Sequence, residues 1–229
     1  MRCLNFVTIS AIAILIAAGA ACNRQASSEN ASNQSNQGQT FADAQSAATQ
    51  SLAEFRKLVN DQNYRDLGFE SPDEIASATL GAPLQILFVR LDRLREYREG
   101  TDVSTLFSQA SEMNFPVMAN EQVRSSVVVQ QVNGKWETGT LGNGALAKLI
   151  AAAQKSRTGA EGVSQQALVH VGALGIYFLG ERSNDNKWTL TPLTTSAELD
   201  LTAERAAPAE QVFTRLAVAA RELRDDAPM

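Results

Sequence analysis

His170 is the chain's single imidazole, and it sits in "ALVHVGAL" among apolar neighbours. An imidazole there could act as a general base or a metal ligand, and each role needs companions. A metal site needs further ligands, yet the sequence holds no second histidine and no H-E-x-x-H. A Ser-His-acid relay on a nucleophile elbow needs G-x-S-x-G, which does not occur. Neither phosphate-binding glycine pattern is present, and "NDNKW" lacks the acidic spacing of a calcium loop, so no cofactor and no metal are implied. Glu198 and Asp200 could pair for glycoside cleavage, but a chain with 25 acids offers many such pairs. The residue types favour a strand histidine satisfied by a hydrogen bond, and binding over catalysis. A hydrolase using His170 and acids is the lesser alternative.

The binding candidates are aromatic and basic. Trp136 and Trp188 each follow a lysine after an Asn-rich turn. Their rings could stack on a sugar or a peptide, or anchor the core. Arg90 and Arg93 open a run, "RLDRLREYRE", that also holds Arg95, Arg98, Asp92, Glu96 and Glu99. Such a run either meets an acidic partner or pairs with itself in water. The formal charge of −5 argues against nucleic acid as a partner, since that needs a concentrated basic surface.

The strongest chemical signal lies at the start. Arg2 precedes an apolar run from Phe6 to Ala21, sixteen residues long, which is short for a membrane span and typical of an export leader. Gly19-Ala20-Ala21-Cys22 closes it, and this stretch resembles the lipobox of bacterial lipoproteins. The resemblance covers the leader alone. It implies that residues 1–21 are a signal peptide, that the Cys22 sulfur receives a diacylglyceryl group, and that the new amino group is acylated with a palmitate-like chain. Asn23 follows the cysteine where Asp would favour inner-membrane retention, so the resemblance implies the outer membrane, facing the periplasm. An ordinary signal peptide cut after Ala18-Gly19-Ala20 also fits the residues. Each buried methylene contributes about 0.8 kcal/mol, so two or three acyl chains would hold the protein to the bilayer. The other cysteine, Cys3, would leave with the leader, so no internal disulfide is expected.

From Asn23 to Gln39 the chain is Asn, Gln, Ser and Ala with one Gly and the single charges of Arg24 and Glu29, without apolar periodicity. It reads, with Cys22, as a flexible tether over 22–39, spanning roughly 20–25 Å root mean square. Residues 40–229 then read as a single domain, divisible into halves 40–160 and 161–229. Thr40 offers a cap for a helix to Asn60, with Phe41, Ala44, Ala48, Leu52, Phe55 and Val59 in one stripe. Ser71, Pro72 and Glu74 suggest a capped helix of two or three turns. Leu84 to Leu91 reads as a buried strand. Phe115–Ala119, Val123–Val132 and Trp136–Leu141 read as an antiparallel meander with turns at Asn120-Glu121 and Asn133-Gly134. A helix follows from Ala145 to about Ser156. Ala167 to Gly180 reads as a strand interrupted by bulges at Gly172 and Gly175, paired through "SNDN" with Trp188–Leu193. Pro208 opens the last helix.

This order predicts an α+β fold: an antiparallel sheet, meander plus second hairpin, covered on one face by helices. It is similar to cystatin-like or NTF2-like arrangements. The shared pattern of hairpin, Lys-Trp and helix allows an internal ββα duplication. The functional expectation is a non-enzymatic, lipid-anchored envelope module that binds a protein, a polymer or a lipid. The alternative is a small-molecule or lipid carrier with a pocket between sheet and helix.

Overall fold

The structure is a computed structural model describing residues 23–157 and 163–223. The chain divides into two units, Met1–Phe41 and Ala42–Met229. The fold is α+β. Helix α1 (Asn23–Leu58) is followed by a 3₁₀ turn (Pro72–Ser77), β1 (Thr79–Leu80), β2 (Leu84–Val89) and α2 (Leu91–Glu96). Next come β3 (Phe107–Ala119), β4 (Gln122–Val132), β5 (Lys135–Leu141) and α3 (Gly144–Ser156). The chain closes with β6 (Val163–Val171), β7 (Ile176–Ser183), β8 (Trp188–Pro192), β9 (Ala207–Pro208) and α4 (Ala209–Glu222).

All nine strands form one sheet, ordered β5-β4-β3-β2-β6-β7-β8-β9, with β1 beside β3. The expected meander is β3-β4-β5, and its turns are where sequence placed them. Asn120 and Glu121 have φ of 51° and 62°, and Asn133 and Gly134 have 51° and 79°. These are the positive angles of a two-residue hairpin loop. The sheet is not wholly antiparallel, however. β2 pairs with β6 in parallel, Gln85 to Ala167 through Phe88 to His170. Parallel neighbours need a long crossover, and the meander with α3 supplies it.

That crossover brings a second correction: helices cover both faces. Leu87, Val89, Val169, Phe178 and Leu190 face α4. Phe115, Val117, Val127 and Val129 lie on the same face and pack under α1 through Ala44, Ala48, Leu52 and Phe55. Leu84, Ile86, Leu168 and Leu179 point the other way, against Ile150 and Ala153 of α3. A strand buried on both faces loses the alternation of an amphipathic one, as "LQILFV" does. Since α3 and α4 take opposite faces, the two hairpin-plus-helix segments are not copies of one packed unit.

Other departures are local. Thr40 lies inside α1 rather than at its cap. The segment after Ser71 makes only a 3₁₀ turn, and Ser71 makes no side-chain cap. Its acid, Glu74, is drawn elsewhere, and the chain must straighten by Thr79 to pair with Met118. β3 starts eight residues before Phe115, because Phe107–Gln109 pair with Leu87–Val89 although the stretch has no apolar alternation. Gly172 and Gly175 form no bulge. They close a tight turn between β6 and β7, with Gly175 left-handed at φ 64°.

Arg124 ties these layers together. Its guanidinium is buried and bonds Glu74 at 2.9 Å and Glu70. Burial raises the Glu74 carboxyl, but the Glu70 amide, the Arg124 charge and the Asn120 amide outweigh this and hold it below the usual range. The Arg124 carbonyl abuts Gly68 and Gly144, where a β-carbon would stand 2.0 and 2.9 Å from it. One residue of β4 thus fixes the loop after α1 and the start of α3. Removing one partner of such a pair strands the other charge in the interior, which costs about 3–5 kcal/mol, whereas replacing both with apolar groups is often neutral. Urea unfolding of Arg124→Ala should show a loss of that size, and Arg124→Leu with Glu74→Leu should recover most of it. A single-variant loss below about 1 kcal/mol, the range of a surface pair, would refute the assignment.

Candidate functional site: a groove beside the third helix

On the α3 face the helix leaves part of the sheet open, and a groove of about 150 Å³ runs there. Asn114 of β3 forms its floor. Met113, Phe115 and Val117 turn to α1, so Asn114 turns the other way, between Leu84 and Val128 on the flanking strands. Its side chain is 1% exposed, and neither Nδ2 nor Oδ1 has a hydrogen-bond partner. Two unmet polar atoms in an interior cost roughly 1–3 kcal/mol each, so native structures rarely keep them without a use.

Neutral polar groups surround it. Ser126 of β4 is buried, and its hydroxyl reaches the Asn143 carbonyl only at 3.5 Å, beyond good bonding distance. Thr140 of β5 and Asn143 add a hydroxyl and an amide at the rim. Asn143 also caps α3, its Oδ1 accepting from the Leu146 amide at 3.1 Å. The capping bond holds the helix start over the groove. Ile86, Val128, Leu146 and Leu168 supply apolar wall.

The far end is aromatic. His170 and Tyr177 face each other across β6 and β7 and stack at 4.1 Å, with planes 6° apart. Phe88 of β2 stands 5.4 Å from the imidazole on the other side. All three are half-buried. The imidazole takes no hydrogen bond among the described residues, contrary to the strand histidine expected from sequence. Burial alone moves its pKa, downward. Desolvation favours the uncharged ring, and Glu112 is the one acidic residue in the lining, which holds no lysine or arginine.

This geometry does not assemble the lesser alternative, a hydrolase built on His170. Ser126 on β4 and His170 on β6 are separated by β3 and β2, three strand spacings or about 14 Å. No carboxylate contributes to the His170 shift. Among the described residues no group of three or more His, Cys, Asp or Glu is placed to hold a metal ion, and no helix is long and apolar enough to cross a membrane.

The four residues singled out from sequence do not come together. Trp188 is 7% exposed, edge-on to Phe107 at 4.9 Å in the α4-side core, with no ring face left for a partner. Trp136 lies at the other end of the sheet, on edge strand β5, partly buried against the α1-side core. Arg90, which precedes α2, is paired with Asp92 of its first turn at 2.8 Å, and Arg93 of the same helix is also exposed. Other arginines of that run have internal work. Arg95 donates to the Ala220 and Leu223 carbonyls at the end of α4, while Arg221 donates to the Arg95 and Tyr97 carbonyls at the end of α2. Cys22 lies outside the described residues. Asn114 lies just before Phe115, where sequence placed the start of the strand, so it drew no reading as a site residue.

A larger depression of about 690 Å³ lies between the loop before β9 and the start of α4. Its charges are mixed, and Arg215 is held there by the Asp200 carboxylate at 2.9 Å. The chain matches no family model, no curated protein and no solved structure.

His170 is the only histidine, so its titration can be read alone. Its folded pKa is depressed, so the unfolded chain binds the proton more readily, and stability falls as pH drops below the ordinary value near 6.5. Thermal melts from about pH 8 to pH 5 should show this fall in the native protein and a flatter profile in His170→Gln. Equal slopes in the two would show that the imidazole is not desolvated.

Proposed function

We propose that this protein is an exported, lipid-anchored accessory module of the bacterial envelope, and that it works by binding rather than by chemistry. The ligand enters the groove over Asn114. One observation carries the reading: a fully buried side-chain amide with both polar atoms unmatched, on the floor of an open groove. A folding solution would put Leu there at no polar cost, whereas a binding site leaves donor and acceptor for a ligand to satisfy.

The leader supports the address. A lipobox-like Cys22 followed by a polar tract gives a lipid anchor and a spacer. Seventeen residues separate the cysteine from Thr40, enough to hold the domain roughly 20–25 Å from the headgroups. The core supports binding over lipid carriage. Phe55, Phe115, Phe178 and Phe213 fill the interior, and a 150 Å³ groove with a polar floor does not suit an acyl chain.

Two measurements test the two halves of this proposal. Intact-mass analysis of detergent-extracted protein should give a chain beginning at Cys22 and carrying fatty acyl groups, with Cys22→Ser released from the membrane fraction. A mature chain without acyl groups removes the anchor. For the groove, Asn114→Leu should raise the urea midpoint, because it deletes an unmet amide worth about 1–3 kcal/mol. Destabilisation by this substitution would show that Asn114 is structural and remove the binding site.

A further inference from the structure

The groove's chemistry narrows what it can hold, given the binding role assigned to it above. No lysine or arginine lines it, so nothing there recognises a phosphate, a carboxylate or an anionic headgroup. Glu112 is half-buried in the same lining, and a carboxylate accepts hydrogen bonds without donating them. Asn114 offers one donor group and one acceptor side by side, both unsatisfied. Ser126 and Thr140 can do either. Asn114 asks for one acceptor and one donor side by side, and Glu112 asks for a second donor. Neighbouring hydroxyls supply this set, since each can donate or accept, whereas a single secondary amide has one N–H and leaves either Oδ1 or Glu112 unanswered.

Size and shape point the same way. The volume equals about five waters, room for one ring or one side chain but not for an extended polymer. Apolar wall from Ile86, Val128 and Leu146 suits the C–H face of a sugar ring while its hydroxyls meet the floor.

We propose that the groove is a subsite for a single uncharged sugar residue of an envelope glycan, with Asn114 bonding two neighbouring hydroxyls and Glu112 accepting from a third. The amide Nδ2 donates to one ring oxygen substituent, and Oδ1 accepts from the next. Ser126 and Thr140 complete the set.

The test is a titration of the full-length, detergent-solubilised protein followed by amide NMR. The probes are D-glucose and N-acetyl-D-glucosamine, with alanyl-alaninamide and inorganic phosphate as comparisons. Saturable shifts of the Asn114 side-chain amide with at least one sugar, and none with phosphate, are expected. Binding should weaken about tenfold in Asn114→Ala, the size of a lost pair of hydrogen bonds. Thr140→Val, a substitution at an exposed position, should weaken it severalfold while leaving the fold intact. Saturable shifts with the dipeptide amide alone would overturn the sugar assignment and leave the groove as a binding site. Silence of Asn114 toward both neutral probes would overturn the sugar assignment, and a destabilised Asn114→Leu would additionally remove the groove itself. Shifts with phosphate alone would overturn the claim that the groove takes uncharged ligands.

Discussion

A charge buried in a strand organises this protein. Arg124 cannot stay ionised in the interior without partners, and the chain supplies two carboxylates from the loop that follows α1. Attraction alone seldom repays the loss of water around such ions. What the pair secures is position. Glu74 and Glu70 can reach the guanidinium only if residues 60–78 lie against the end of β4, and that loop can lie there only because Gly68 and Gly144 carry no side chain at the crossing. The start of α3 is set by the same contact, and with it the roof of the groove.

The far end of α3 is held by a different polar chain. Gln154 donates to Gln166 at 3.1 Å, Gln166 donates to the buried Glu181 at 3.1 Å, and Arg157 pairs with Glu181 at 2.7 Å. Between these anchors Ala147, Ile150 and Ala153 are the buried residues of the helix. A thirteen-residue helix is about 20 Å long and cannot cover a sheet of this width. The uncovered remainder is the strip from Ser126 to Tyr177. It stays open because neither end of α3 is free to slide over it. A side chain such as Asn114 is tolerable only in a frame this strongly determined, since its unmet bonds are offset by the packing on either side.

The parallel pairing of β2 and β6 gives the strip its composition. It brings Phe88 beside His170, and the β6–β7 hairpin brings His170 beside Tyr177, so three rings line up across three strands. On the meander side the same face carries Glu112, Asn114, Ser126 and Thr140. An aromatic end and a polar end thus meet along one groove, although residues 88, 114, 140 and 170 are far apart in the chain.

Much of the architecture was legible in the residues because it rests on local forces. Asn133-Gly134 specifies its hairpin through positive φ, the stripe from Ala44 to Phe55 specifies a helix face, and the β-branched run from Val127 to Val129 specifies a buried strand. The α+β class followed from the order of such signals. The site was not legible, because a strand's period of two says which residues share a face and not what covers that face. Asn114 and Glu112 fell before the strand expected from Phe115 and drew no reading, Trp188 read as a candidate binding ring, and His170 as a hydrogen-bonded strand residue. The long-range pairing of β2 with β6 and the placement of α3 and α4 on opposite faces decided otherwise. They buried Trp188, left the imidazole without a partner, and sealed an amide beneath an open groove.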